Sequence, residues 1–425
     1  MEKNFVCKGD ICYSKDARTL ETCKDGYLVC ENGVCAGVFT KLPEKYSAFA
    51  LLDVTGKLIL PGFIDLHVHA PQYDYRGLGM DLELLEWLDI HTFPEEAKYA
   101  DPLYAKGKYA QFVSEMRKSP NTRGCIFATV HRQSTEILMN LLEESGLIAM
   151  VGKVNMDRNS PDSLREKSAE VSALDTIQWI AQISGKYTRV TPILTPRFLP
   201  SCSDELMKRL AEIQRQYRLP VQSHLSENPA EIAWVRELSP ESRNYGDAYD
   251  RFGLFGGKKC PTIMAHCVWS DEEEIVQMKE RGVFIAHCPE SNTNLASGIA
   301  PAKRYLEEGI SMGLGSDVAG GTRCSLFFAM AEAIRVSKLR WRLVDATWAP
   351  LTVPEVFYLA TMGGGAFFGK VGTFLPGYEM DAFVLDDSRY HRPEEYRIEE
   401  RLERAIYLSE DRDVLHKFVG GRQIF

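Results

Sequence analysis

Eight short apolar runs recur between about residue 59 and residue 317, and most are separated by segments of helical character. They are "LILPGFIDLH", "GCIFATVH", "IAMVGKVNMD", "RVTPILTPRF", "LPVQSHLSE", "TIMAHCVW", "VFIAHCPES" and "SMGLGSD". A strand that is apolar along most of its length is buried on both faces, the habit of parallel sheets covered by helices. Eight of them alternating with helices predict an α/β fold with a TIM-like (β/α)8 barrel, although the count alone also admits an open parallel sheet. The intervening segments "SDELMKRLAEIQRQY" and "DEEEIVQMKERG" read as helices. Ser201 with Asp204 has the spacing of a capping box ahead of the first, and Gly282 suits the C-cap of the second.

Every run ends in side chains able to do chemistry: His67 and His69, His131, Lys153, Arg197, His224, His266, His287 and Asp317. A barrel gathers the C-terminal ends of its strands at one rim, where barrel enzymes place their reactive groups. His67 and His69 stand two apart on one run, so their side chains share a face and can converge on one small object. Two imidazoles alone do not make a metal site. With His224, His266 and Asp317 the rim holds four imidazoles and one carboxylate, enough for zinc or ferrous iron with a position left open for water.

The flanking segments have a different texture. Residues 1–58 and 371–425 carry short apolar runs broken by turns, and neither is long enough to bury much core alone. They read as two halves of one small β-sandwich domain built from both chain ends, with residues 59–370 forming the barrel. At 425 residues the chain has ample material for both.

A net charge of −9 argues against nucleic acid, whose phosphate backbone calls for a basic face. The N-terminal stretch lacks the apolar core of a secretory signal and no 18-residue apolar run occurs, so the expectation is a soluble, cytoplasmic protein with no membrane partner. Eleven cysteines without a CxxC pair are neither a disulfide framework nor a zinc ribbon. Cys267 and Cys288 read as buried free thiols.

The HxH run, the two later histidines and the final aspartate together resemble the amidohydrolase superfamily. The segments "PGFIDLHVHAPQY", "LLEWLDIHTFP", "TPRFLPSCS", "QSHLSEN", "IAHCPESN" and "GLGSDVAGG" further resemble the guanine deaminase family, in the same order and across nearly the whole chain. The resemblance implies one zinc ion per chain, with ferrous iron also compatible, held by His67, His69, His224 and Asp317. It implies that His266 contacts the reactive water rather than the metal, that Glu227 is the proton shuttle, and that Gln72, Arg197 and Phe198 grip the purine. The catalytic set is then Glu227, His266 and Asp317, and the substrate is bordered by His224, Glu227 and Asp317. The implied reaction is hydrolysis of guanine to xanthine and ammonia.

The chemistry of these residues is consistent with that assignment. Replacing an aryl amine by oxygen needs hydroxide at neutral pH, which a bound metal can provide by lowering the pKa of water to ~7. Asp317 is placed to take the water proton, and Glu227 to protonate the ring nitrogen and then the departing ammonia. Arg197 is a donor fork suited to a carbonyl such as guanine O6, and Gln72 can donate and accept at the same edge. Phe198 is expected to pack on the ring.

Two other readings stand beside this one. A lysine bridging two metals would make a binuclear hydrolase of cyclic amides, but Lys153 falls on the third run, where the fourth is expected. A non-catalytic interaction protein would show gaps among the ligands, and here every position is filled. For His131 and His287 a structural hydrogen bond and a substrate contact are both open, while His91, His391 and His416 read as surface or packing residues. Trp87 either lines the pocket mouth or anchors a helix, and the spacing of Leu84, Leu85 and Leu88 favours packing. A C2 homodimer is the default for a barrel of this size.

Overall fold

The computed structural model describes residues 3–390 and 395–425, so His391 lies outside the described residues. Two four-stranded parallel sheets form its centre. One runs Phe63–His69, Asn121–Phe127, Ile148–Gly152, Val190–Pro192, and the other Val221–Leu225, Thr262–His266, Phe284–His287, Met312–Leu314. Every residue of Phe63–His69 and of Asn121–Phe127 is buried, as two-sided burial of a parallel strand requires.

Backbone hydrogen bonds link these sheets at both junctions. Leu194 N–H donates to Pro220 O at 2.9 Å and Leu194 O accepts from Gln222 N–H at 2.9 Å, while Asp317 N–H donates to His67 O at 2.8 Å and His69 N–H to Val318 O at 3.2 Å. Residues from the first and the last of the eight runs are therefore neighbours.

The helix Asp204–Tyr217 buries Leu206, Met207, Leu210, Ala211 and Ile213, spaced for one helical face. Its cap is Ser203 rather than Ser201: the Ser203 hydroxyl accepts from Leu206 N–H at 3.1 Å. Ser201 closes a short 3-10 turn, where its hydroxyl donates to Phe198 O at 3.0 Å. Gly282 caps the helix Glu272–Arg281 in the left-handed conformation, at φ 65°.

Strands from both chain ends pair in a single seven-stranded sheet, where the sequence suggests the two layers of a sandwich. Its order is Arg422–Gln423, Val414–Val419, Ala382–Leu385, Ala50–Pro61, Phe5–Ser14, Leu20–Glu31, Val34–Phe39. Pairing continues past residue 58, since Ile59 opposes Ile11 and Val384 and Pro61 opposes Ala382. The run "LILPGFIDLH" is thus two strands, Ala50–Pro61 and Phe63–His69, separated by Gly62. A side chain at residue 62 would collide with Thr122. The C-terminal segment also contains the helix Ile398–Leu408, which packs beside Phe5–Ser14 and Leu20–Glu31.

A buried ion pair and a set of buried hydrogen bonds tie the sheet to the rest of the molecule. Arg123, on a central strand, meets Asp381 through Nε at 2.7 Å. The ammonium of Lys417 donates to the carbonyls of Met116, Ser119 and Asn121 at 2.8–2.9 Å. No helix among the described residues is long and apolar enough to cross a membrane.

Candidate active site

His67 and His69 close the strand Phe63–His69 with their Nε2 atoms 3.2 Å apart. From across the centre, His224 on Val221–Leu225 brings its Nε2 to 3.3 Å from that of His69. Asp317, in the loop after Met312–Leu314, sets Oδ1 3.1 Å from His67 Nε2 and 3.4 Å from His69 Nε2. Residues 67 and 317, 250 positions apart by their numbering, supply donor atoms to one point. His266, Asp317 and Ser226 hold left-handed backbone, at φ 75°, 46° and 46°, a strain that clusters where structure serves a site.

The donor set fits a cation. Burial holds His67, His69 and His224 below their ordinary pKa, with crowding by neighbouring imidazoles adding to it for His69 and His224. Neutral rings keep their lone pairs for coordination. His224 Nδ1–H donates to Arg197 O at 2.6 Å, which places its free lone pair on Nε2. Burial by itself pushes the Asp317 carboxyl up, but the electrostatic influence of the adjacent imidazoles, His67 first, and a hydrogen bond from His67 outweigh it and hold Asp317 well below the usual range. Three neutral imidazoles and a carboxylate converge here, a set suited to zinc or ferrous iron with a position left over.

His266 stands at the edge of this group. Its Nδ1–H donates to Asn292 Oδ1 at 2.8 Å, and its Nε2 lies 3.4 Å from Glu227 Oε2 and 3.8 Å from Asp317 Oδ2. That Nε2 is buried and has no hydrogen-bond partner among the described residues. Glu227 Oε1 accepts from Ser297 Oγ at 3.0 Å. Burial, then the adjacent Asp317 charge, raises the Glu227 carboxyl well above the usual carboxylate range, so it keeps a proton to give. Glu231 accepts from Glu227 N–H at 3.2 Å and from Tyr245 O–H at 2.8 Å, fixing the loop behind the shuttle candidate. Cys288 also reaches the group with its sulfur. Burial pushes that thiol far up from its ordinary range.

Gln72, Arg197, Phe198 and Trp87 line the same cleft as His69, His224, Glu227 and Asp317. Trp87 therefore fills both roles left open for it, since its indole N–H is also anchored on Leu78 O at 3.0 Å. The Arg197 fork is not wholly free: Nη1 donates to Glu96 at 2.6 Å. Glu96, with Asn292, Ser297 and Glu231, escapes sequence reasoning. Its "FPEE" segment carries only the weak signal of two acids on a short apolar helix.

Lys153 is not among the site residues. Its amine is buried and donates to Glu166 at 2.6 Å and to Val154 O at 3.3 Å, away from the imidazoles. His131 sits at the start of the helix Arg132–Ser145. Neither ring nitrogen of buried His287 has a protein partner among the described residues.

Comparison with known proteins gives a consistent picture. Residues 58–424 match the Amidohydrolase family. The chain is 37% identical over 419 residues to a guanine deaminase of Dictyostelium discoideum, covering 96% of this chain and 89% of that one. It is 35% identical over 384 residues to a guanine deaminase of Escherichia coli (strain K12), covering 88% and 84%. Among solved structures, a guanine deaminase from C. acetobutylicum with guanine bound in its active site superposes with TM-score 0.96 at 47% identity, over 99% of this chain and 100% of that one.

Proposed function

The chain belongs to the amidohydrolase family, and from that premise we propose that it is a metal-dependent aminohydrolase converting guanine to xanthine and ammonia. The observation that carries this is the placing of Glu227, a carboxyl held in its protonated form, beside the imidazole–carboxylate cluster in the cleft that Gln72 and Arg197 line. A proton donor, a cation cradle and a donor fork share one cavity.

We assign the cation to His67, His69, His224 and Asp317, with zinc as the expected metal and ferrous iron compatible. Such an ion, when bound, lowers the pKa of water to ~7 and makes hydroxide available at neutral pH. Asp317 accepts the proton of the attacking water, and His266 presents its Nε2 lone pair to the same water because Asn292 holds the Nδ1 proton. Glu227 protonates the ring nitrogen as C2 becomes tetrahedral, then takes the proton of the new C2 hydroxyl and delivers it to the amine that leaves as ammonia, while the water proton held by Asp317 restores the carboxyl. Arg197 and Gln72 face the O6 edge, and Phe198 packs against the ring.

An adenine-type purine carries an amine where guanine has O6 and would leave the Arg197 donors unpaired in a dry pocket. Guanine should therefore release one ammonia per xanthine formed, with adenine and cytosine poor substrates. A deamination panel of guanine, adenine, cytosine and an aminotriazine on metal-verified protein tests this, and comparable turnover of adenine would refute the substrate assignment. The Lys153 alternative is not favoured, because that amine is committed to Glu166.

We also read the two four-stranded sheets as halves of one closed (β/α)8 barrel, and the terminal sheet as a composite β domain formed by residues 1–58 and 371–425 around it. The hydrogen bonds at the Leu194/Gln222 and His67/Asp317 junctions support closure. A homodimer is the default assembly for such a barrel, to be tested by sedimentation.

A further inference from the structure

A buried carboxylate stands behind the substrate-gripping pair. Glu96 is 2% exposed, on the short helix Phe93–Ala97, and it uses both oxygens: Oε1 accepts from Gln72 Nε2 at 2.9 Å and Oε2 from Arg197 Nη1 at 2.6 Å. The amide of Gln72 is held at its other end too, since Oε1 accepts from Ala319 N–H at 3.1 Å. Phe93, three residues before Glu96, lies with its ring centroid 5.3 Å from the Arg197 guanidinium. One turn of chain thus fixes the position of Arg197 and the orientation of Gln72.

This has two consequences for a ligand. The Gln72 amide cannot flip without setting its NH2 against the Ala319 N–H and its oxygen against the Glu96 carboxylate, so only one N–H and one lone pair remain to be shown to the cleft. The Arg197 charge is matched inside the protein, so its remaining N–H groups act as directional donors for a neutral carbonyl and not as a free cation inviting an anion. Both effects select an oxygen at one fixed place on the ring.

We propose that Glu96 is a positioning residue that sets purine specificity, acting through Gln72 and Arg197 to favour a ring carbonyl opposite the reacting amine. Among the described residues its side-chain hydrogen bonds go to Gln72 and Arg197 and not to the cation cradle or Glu227, so its contribution belongs to recognition rather than to proton transfer. This inference rests on the reading of guanine as substrate with O6 toward Arg197.

The test compares guanine with 2-aminopurine, which keeps the C2 amine and lacks O6, read as substrate or as competitive inhibitor. In Glu96→Gln one oxygen becomes an NH2 that faces a donor, so the pair loses its register. The kcat/KM for guanine should fall ~10²-fold, mainly through KM, as for a misplaced binding group, while 2-aminopurine changes by no more than about threefold. Equal losses for both substrates, or no loss for guanine, would overturn the proposal. Absence of guanine turnover in the wild type would instead defeat the substrate reading, and this inference with it. Because Glu96→Gln leaves a buried guanidinium less compensated, Arg197→Gln and the Glu96→Gln/Arg197→Gln pair complete the cycle. If Glu96 acts through Arg197 and Gln72, the loss on guanine in the double variant should be clearly smaller than the product of the two single losses. Additive losses would mean a separate role for Glu96 and sink the idea.

Discussion

A carboxyl group buried beside a second carboxylate keeps its proton, and Glu227 is in that position next to Asp317. Glu227→Gln preserves size and hydrogen-bonding reach but cannot exchange a proton. Turnover should drop by ~10²–10⁴ with metal content little changed, as measured by steady-state kinetics on metal-matched proteins. The sign of the pH dependence follows from the raised pKa. The protonated form is the active donor, so kcat/KM of the wild type should fall as pH rises through that raised value, and this limb should vanish in Glu227→Gln. The cation cradle makes a separate prediction. His67→Ala or Asp317→Ala removes a donor atom from the convergent set, so bound metal and activity should be lost together. His266→Ala should lose activity and retain most metal, because its Nε2 stands farther from Asp317, at 3.8 Å, than the 3.1 Å of His67 and the 3.4 Å of His69, and lies beside Glu227 at 3.4 Å. Elemental analysis of the purified variants separates the two outcomes, and a His266→Ala protein as metal-poor as His67→Ala would reverse the division of roles.

At the scale of elements, the helix Ile398–Leu408 is held to the terminal sheet through one guanidinium. Arg401 is fully buried, meets Asp387 through Nε and Nη2, both at 2.8 Å, donates to Gly56 O at 2.9 Å, and also reaches Asp10. Removing one member of a buried ion network weakens the compensation of the charges that remain, which costs more than the network contributes net. Arg401→Met should therefore destabilise the protein by ~3–5 kcal/mol in denaturant titration, while the KM of the enzyme that remains folded is unchanged. A loss below about 1 kcal/mol would mean that water reaches the two aspartates once the guanidinium is gone. The same logic explains why the terminal segments form one sheet. Neither can cover its own apolar face, and Ile59, Phe5, Val384 and Phe418 bury it only together.

For the whole molecule, the cation is expected to act as a fastener as well as a reagent. Its donors come from residues 67, 69, 224 and 317, so a bound ion cross-links segments far apart in the chain. A ligand that binds only the folded state stabilises it by mass action. Dialysis against a chelator should abolish guanine turnover and lower the thermal midpoint together, and added zinc should restore both. Restoration of activity by ferrous iron and not zinc would change the assigned metal and leave the cradle intact. A chelated protein with full activity would dismiss the cradle as the reactive centre.

The residues proposed to hold the metal stand out in the amino-acid order because their signals are local, whereas Glu227, Gln72, Arg197 and Phe198 are singled out only by the family resemblance of their segments. His67 and His69 share a face through strand alternation, and His224, His266 and Asp317 each close an apolar run whose length and burial are written in the run itself. The tertiary structure alone decided what stands behind them. Glu96 acquires meaning only from Arg197, 101 residues away, and Arg401 from Asp10, 391 residues away. Asn292 and Ser297 matter because they reach His266 and Glu227. The single sheet at the chain ends likewise depends on pairings between Ala50–Pro61 and Ala382–Leu385. Local order sets which faces a segment must bury and which groups it offers. A hydrogen bond or ion pair forms only when folding brings its two halves within about 3 Å, and no short window of sequence contains both.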